Sequence, residues 1–165
     1  MTPKTKIMNI IAICIVATVI FGFLLANSVN NIDNKTPTPQ FATGTLDITR
    51  GGNVVKHLSV EIAKTTAEME YGLMFRHEMA DDRGMIFVFP FPQRIQMWMK
   101  NTFIPLDMVF FDDNQKIVAI IANAKPQDET VLDPGTEARY VLEINASLAA
   151  KWQLQNGDTF QLKAN

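Results

Sequence analysis

Leu106-Asp107-Met108-Val109-Phe110-Phe111 is apolar on both faces of any strand it forms, with a single carboxylate set into it. A strand of that kind must be covered on both sides, so the chain needs a second sheet, helices or loops over it. The acid adds a further constraint. A buried carboxylate without partners is very unfavourable, so Asp107 must reach solvent or find donors. The preceding residues, Trp98-Met99-Lys100-Asn101-Thr102-Phe103-Ile104-Pro105, combine an Asn-Thr turn signal with a proline, so the strand is entered from a bent loop.

The first 26 residues lie outside this logic. Lys4 and Lys6 precede a 20-residue apolar run, Ile7 to Ala26, broken only by Asn9 and Thr18. A basic flank before such a run marks a signal peptide or a signal anchor. Its length matches the roughly 20 residues that cross a bilayer, which favours an uncleaved anchor. Leu24-Leu25-Ala26 and Ala26-Asn27-Ser28 leave a cleaved signal as the alternative. The basic side should stay in the cytoplasm. The expected location is therefore a single-pass cell-membrane protein with its domain outside, or a secreted or periplasmic protein after cleavage. Residues 27–40 are polar, with Pro37 and Pro39, and read as a flexible linker. The globular domain is expected at 41–165.

Cys14 falls inside the apolar run, so the expected domain has no cysteine. Disulfides, Cys-ligated zinc and a thiol nucleophile are excluded there. The domain holds 12 Lys or Arg against 16 Asp or Glu, a mild net acidity that gives no support to nucleic-acid binding.

The domain reads as short strands. Thr45–Arg50 and Val54–Ile62 flank a Gly51-Gly52-Asn53 turn, a hairpin signal. Thr65-Thr66-Ala67-Glu68 is a capping box, starting a helix that Gly72 stops. Gly84–Phe89 is an apolar strand ended by Pro90 and Pro92. Arg94–Met99 alternates as a strand does. Leu106–Phe111 and Lys116–Ala122 form a second hairpin about Asp112-Asp113-Asn114. Arg139–Ile144 follows, then a helix capped by Asn145 that buries Leu148 and Trp152 and runs to about Leu154. Thr159–Lys163 closes the chain. The expected class is mainly β: a β-sandwich or compact barrel with two short helices, behind one N-terminal transmembrane or signal helix.

Four ordered pieces resemble the domain-of-unknown-function family 192, a family of uncharacterised membrane-linked proteins. They are Glu70-Tyr71-Gly72-Leu73-Met74-Phe75-Arg76, Gly84-Met85-Ile86-Phe87-Val88-Phe89, Trp98-Met99-Lys100-Asn101-Thr102 with Pro105-Leu106-Asp107-Met108, and Tyr140-Val141-Leu142-Glu143-Ile144-Asn145. The resemblance spans about 43–163. It implies a mainly β, jelly-roll-like fold and no known activity, substrate or cofactor. Ser147 stands where the family usually carries Gly, which bears on the turn into the last helix.

The candidate ligand-binding residues are Arg76, Trp98, Asn101, Thr102, Asp107 and Glu143. Asp107 and Glu143 each sit between apolar strand neighbours, and Arg76, Lys100, Arg139 and the Asn101-Thr102 turn are the available partners. Asp107 has two roles open to it: holding the loop through backbone amides or Arg76, or converging with Glu143, Arg76 and Asn101 on a pocket. Two carboxyls whose environments differ can serve as acid and base. Trp98 either packs in the loop or offers a sugar-stacking face.

His57 and His77 have no metal-ligand spacing. The seven domain methionines could form a soft Cu(I) site, but Met97 and Met99 keep phase with Ile95 as core residues do. No Gly-x-Ser-x-Gly elbow and no phosphate loop occur. No cofactor and no metal are expected. The expected function is a non-catalytic extracytoplasmic ligand-binding or accessory domain, tethered through residues 7–26. Its partner would be a small molecule, glycan or envelope protein. The alternatives are an envelope hydrolase using Asp107 and Glu143, or a structural module on a membrane-protein partner.

Overall fold

The computed structural model describes residues 38–165. The expected anchor and residues 27–37 of the expected linker lie outside the described residues. Among the described residues no helix is long and apolar enough to cross a membrane.

Seven strands and two short helices follow one another: β1 (Ala42–Arg50), β2 (Asn53–Ala63), α1 (Thr66–Tyr71), β3 (Arg83–Gln93), β4 (Leu106–Phe111), β5 (Ile117–Ala124), β6 (Ala138–Asn145), α2 (Leu148–Lys151) and β7 (Thr159–Ala164). The strands form one sheet in the order β5-β4-β6-β3-β2-β1-β7. Gly51 and Gly52 both have positive φ, 56° and 84°, and close the β1–β2 hairpin as the glycine turn predicts.

β2 and β3 are parallel, unlike every other pair. A parallel pair needs a long crossover, because a tight turn can only reverse the chain. Residues 64–82 make that crossover and include α1. The capping box is present: Glu68 N–H donates to the Thr65 hydroxyl, and the Glu68 carboxylate accepts from Thr65 N–H.

Two apolar clusters occupy the two sides of the sheet. The first draws Leu46, Leu58, Ile86, Val109, Ile117, Leu142 and Phe160 from all seven strands. Phe160 on edge strand β7 meets Phe111 of β4 edge-on, ring centroids 4.8 Å apart, so the sheet curls around this cluster. The edges meet through a single bridge, Lys116 to Thr159, and no continuous ladder joins β5 to β7. The compact-barrel expectation is corrected accordingly: the sheet is not closed. The second cluster covers the other side of β3, β6 and β4, with Phe87, Met108, Phe110 and Val141 under Leu73, Ile95, Met99 and Ile104 of the connecting segments. Both faces of Leu106–Phe111 are thus covered, and all six residues are buried.

Three local expectations are revised. Arg94–Met99 has the alternate burial of a strand, with Ile95 and Met99 inside, but pairs only at Met97 with Leu132. Side-chain alternation records which face is covered, and it does not supply a hydrogen-bonded neighbour. β3 runs through Pro90 and Pro92, because its pairing with β6 is interrupted between Val88 and Gln93, where no N–H is required. Asn145 does not cap α2. The residue before that helix is Ser147, in the left-handed region at φ 70°, and the donors are met from another strand, as described below.

Candidate functional site

Strand periodicity decides where Glu143 points. On β6, Leu142 and Ile144 face the curled interior, while Val141 and Glu143 face the outer side. Its register partners are Met85 on β3 and Met108 on β4, both fully buried. The carboxyl therefore has a thioether on either flank. Glu143 is 4% exposed. Burial alone pushes its carboxyl from the ordinary 4.5 up to about 8, with no hydrogen bond or neighbouring charge to offset it. Fully buried side-chain polar atoms among the described residues all have partners. The Glu143 oxygens stand apart because they open on a cleft.

That cleft has a volume of about 280 Å³. Phe87, Phe89 and Glu143 form its β3–β6 side. Met69, Glu70 and Tyr71 of α1 and Met97, Trp98, Lys100 and Thr102 of the segment before β4 complete the lining. Gly72 ends α1 at φ 47° with its N–H on the Glu68 carbonyl; a Cβ there would lie 3.2 Å from the Phe87 ring. The positive φ and the tight approach to the Phe87 ring both favour glycine at this helix end. Gly84 plays the matching part beneath: a Cβ would lie 2.7 Å from the Glu143 carbonyl oxygen.

Trp98 is 46% exposed, with the Lys100 ammonium 5.1 Å above its ring. Thr102 is buried, and its hydroxyl donates to the Lys100 carbonyl at 3.3 Å. Asn101 takes φ 53°, its carbonyl accepts Phe75 N–H at 2.8 Å, and its amide lies 3.8 Å from the Met74 sulfur. Asn101 thus ties the loop after α1 to the Trp98 loop. Trp98, Thr102 and Glu143 share the cleft. Arg76 does not; it pairs with Glu61 in a neighbouring groove that shares Tyr71 and Met74 with the cleft.

Asp107 lies elsewhere. It pairs in register with Ile144, and its side chain is on the curled-interior side, opposite Glu143. It is fully buried; one carboxylate oxygen accepts Asn123 N–H at 2.8 Å and the other Ala149 N–H at 2.9 Å. The second bond meets a free amide at the start of α2, so Asp107 does the work expected of Asn145. Asn145 instead donates to the Met79 carbonyl at 2.7 Å. The convergence of Asp107, Glu143, Arg76 and Asn101 on one pocket is therefore corrected. Adjacent residues on paired strands alternate faces, and the register puts the two acids on opposite ones.

Glu70, Met69 and Lys100 are cleft residues that the site expectation lacked. Their signal lay in the motifs themselves, which carry Glu70 and Lys100, but nothing in a linear sequence brings α1 over β6. Among the described residues no group of three His, Cys, Asp or Glu is placed to hold a metal. His77 stacks beside Phe103, centroids 4.8 Å apart, and His57 pairs with Asp47 across the β1–β2 hairpin. Met85, Met99 and Met108 are core residues, while Met69, Met74 and Met97 line the cleft.

Residues 46–162 match the profile of DUF192, described as an uncharacterized ACR. No curated protein is significantly similar to the chain. Solved structures are, two crystal structures among them. One is a protein from Sinorhizobium meliloti 1021, provisionally described as a transcription regulator: 36% identity, TM-score 0.72, covering 76% of this chain and 97% of that one. The other is a protein of unknown function from Novosphingobium aromaticivorans DSM 12444: 38% identity, TM-score 0.71, covering 76% of this chain and 89% of that one. Similarity at this level extends over nearly the whole described region. The chain belongs to the domain-of-unknown-function family 192.

Proposed function

We propose that this is a non-catalytic ligand-binding or accessory domain whose ligand occupies the cleft over Glu143. One observation carries the reading. A carboxyl group 4% exposed, flanked by Met85 and Met108 and without a protein partner, opens into an apolar-walled cleft. A polar group in that setting is unfavourable unless something meets it. Apolar clefts with a few convergent polar groups are the usual form of a small-molecule site. Trp98 and Thr102 line the same cleft. Arg76 and Asn101 support it indirectly, by holding the loops.

A hydrolase built on Asp107 and Glu143 as acid and base gains no support from two carboxyls on opposite sides of one sheet. We further propose that the domain stands outside the cytoplasmic membrane, tethered through residues 7–26; this part rests on the apolar run and its basic flank. The curl of the sheet is best read as the sandwich-like, jelly-roll-like layering the family implies, with β1, β2 and β7 folded over β4, β5 and β6.

Thermal-shift screening of the domain against small polar fragments, saccharides and envelope fragments tests the reading. A cleft ligand raises the midpoint by mass action. Its shift should shrink in Glu143→Gln and leave Asp107 contacts unmoved. Ligands that bind Glu143→Gln equally well, or that map outside the cleft, would refute it.

A further inference from the structure

The groups lining the cleft narrow the ligand to one chemical class. Two carboxyls face it, Glu143 on the floor and Glu70 at the rim, against one cation, Lys100. The Lys100 ammonium is already held over Trp98, and among the described residues it makes no ion pair with either acid. The remaining lining is rich in π faces and thioethers, from Tyr71, Phe87, Phe89 and Met69. Ring faces attract cations, and the Trp98 contact shows this cleft already using that attraction.

We infer that the cleft takes an organic ammonium group on a short apolar stem, with the buried, unpartnered Glu143 carboxyl as its counter-ion. This rests on reading the cleft as a ligand site. An ammonium brings three N–H donors and no acceptor, which suits a carboxylate and ring faces. A carboxylate ligand would meet two acids instead. The volume of about 280 Å³ is at the small end for ligand clefts, which limits the stem to a few carbons.

The proton balance follows. The neutral carboxyl of the empty cleft and R–NH3⁺ give the carboxylate–ammonium pair, and one proton leaves to solvent. Affinity should then rise about tenfold for each pH unit while Glu143 is mostly protonated in the empty protein. The other titratable groups facing the cleft are Glu70 and Tyr71 from α1 and Lys100 from the Trp98 loop; on β3 and β4 the neighbours are Met85 and Met108.

NMR titration of residues 38–165 tests this, since the match takes in 97% and 89% of two solved relatives, so those folded chains hold little beyond the shared domain. The probes are n-butylammonium, butanamide and butyrate at pH 6, 7 and 8. The expected result is that n-butylammonium shifts Trp98 and Thr102 signals and moves the Glu143 carboxyl carbon to its ionised position. Its affinity should rise about tenfold from pH 6 to 7 and drop at least tenfold in Glu143→Gln. Butanamide binding in the cleft without n-butylammonium would overturn the ammonium assignment and leave the cleft reading standing. So would n-butylammonium affinity that ignores pH. Failure of all three probes to move any cleft signal would remove both.

Discussion

Replacing Glu143 by Gln should change how stability depends on pH more than any other single substitution in this domain. The wild-type carboxyl moves from its ordinary 4.5 in the unfolded chain to about 8 in the fold. Between those values the folded state holds a proton that the unfolded state has released, so stability falls as pH rises. Below pH 4.5 both states are protonated and the penalty is absent. Above pH 8 both are ionised and the penalty is complete. Each pH unit is worth 1.36 kcal/mol, so the full loss is about 5 kcal/mol. That is a large share of the roughly 5–15 kcal/mol that holds a domain together. Gln keeps the shape of the neutral acid and cannot ionise. Urea unfolding of both proteins from pH 4 to 9 is the assay. The two should lie within about 1 kcal/mol of each other at pH 4, and the variant should be more stable by about 3–5 kcal/mol at pH 9. Every other residue is common to both proteins, so the difference isolates position 143. Parallel profiles across the range would show that water or a neighbour stabilises the Glu143 carboxylate, and the desolvation argument would fail.

Asp107→Asn should lower stability by about 2–4 kcal/mol, because one of the Asn123 and Ala149 amides then faces an NH2 group instead of an acceptor; an unchanged urea midpoint would show that Asp107 is no anchor. Asp158 is 1% exposed and clasps Arg50 through two 2.7 Å bonds, which holds its carboxyl below the usual range. Asp158→Ala should cost about 1–3 kcal/mol, because the Arg50 left behind is partly exposed and can turn to solvent, and the wild-type contribution should fade as pH falls below 3.8, where the unfolded chain takes up the proton first. Gly84→Ala should cost about 1–3 kcal/mol, since its Cβ would push on the Glu143 carbonyl, and cleft signals in NMR should shift with it. Ser147→Gly should be tolerated within about 1 kcal/mol, whereas Ser147→Val should lose about 1–2 kcal/mol at a φ of 70°, as read by thermal unfolding.

The two glycine-rich or capped turns were legible because they are local. A Gly-Gly pair between apolar runs and a Thr-x-x-Glu box each settle their own backbone within a few residues. The left-handed φ of Ser147 before α2 is a local fact of the same kind, one that Gly would meet without a side-chain penalty. The prolines of β3 misled because their effect depends on whether a neighbour needs the missing N–H. β6 leaves that stretch unpaired. Asn145 misled because the free amide of Ala149 could be met by any acceptor in space, and Asp107 was nearer.

The order of residues by itself determined that Leu106–Phe111 would be buried on both sides, that α1 would begin at Thr66 and stop at Gly72, and that Asp107 and Glu143 would each need special treatment. These follow from side-chain polarity and backbone freedom over short distances. Which acid received two amides and which was left facing a cleft was decided by register alone. Asp107 lies opposite Ile144 and Met108 opposite Glu143, so neighbouring strands send the two carboxyls to opposite sides of the sheet. The parallel crossover then carried α1 over one side only, and the cleft exists because of that placement. Neither choice is written in any short stretch of residues, because both arise from pairings between segments far apart along the chain.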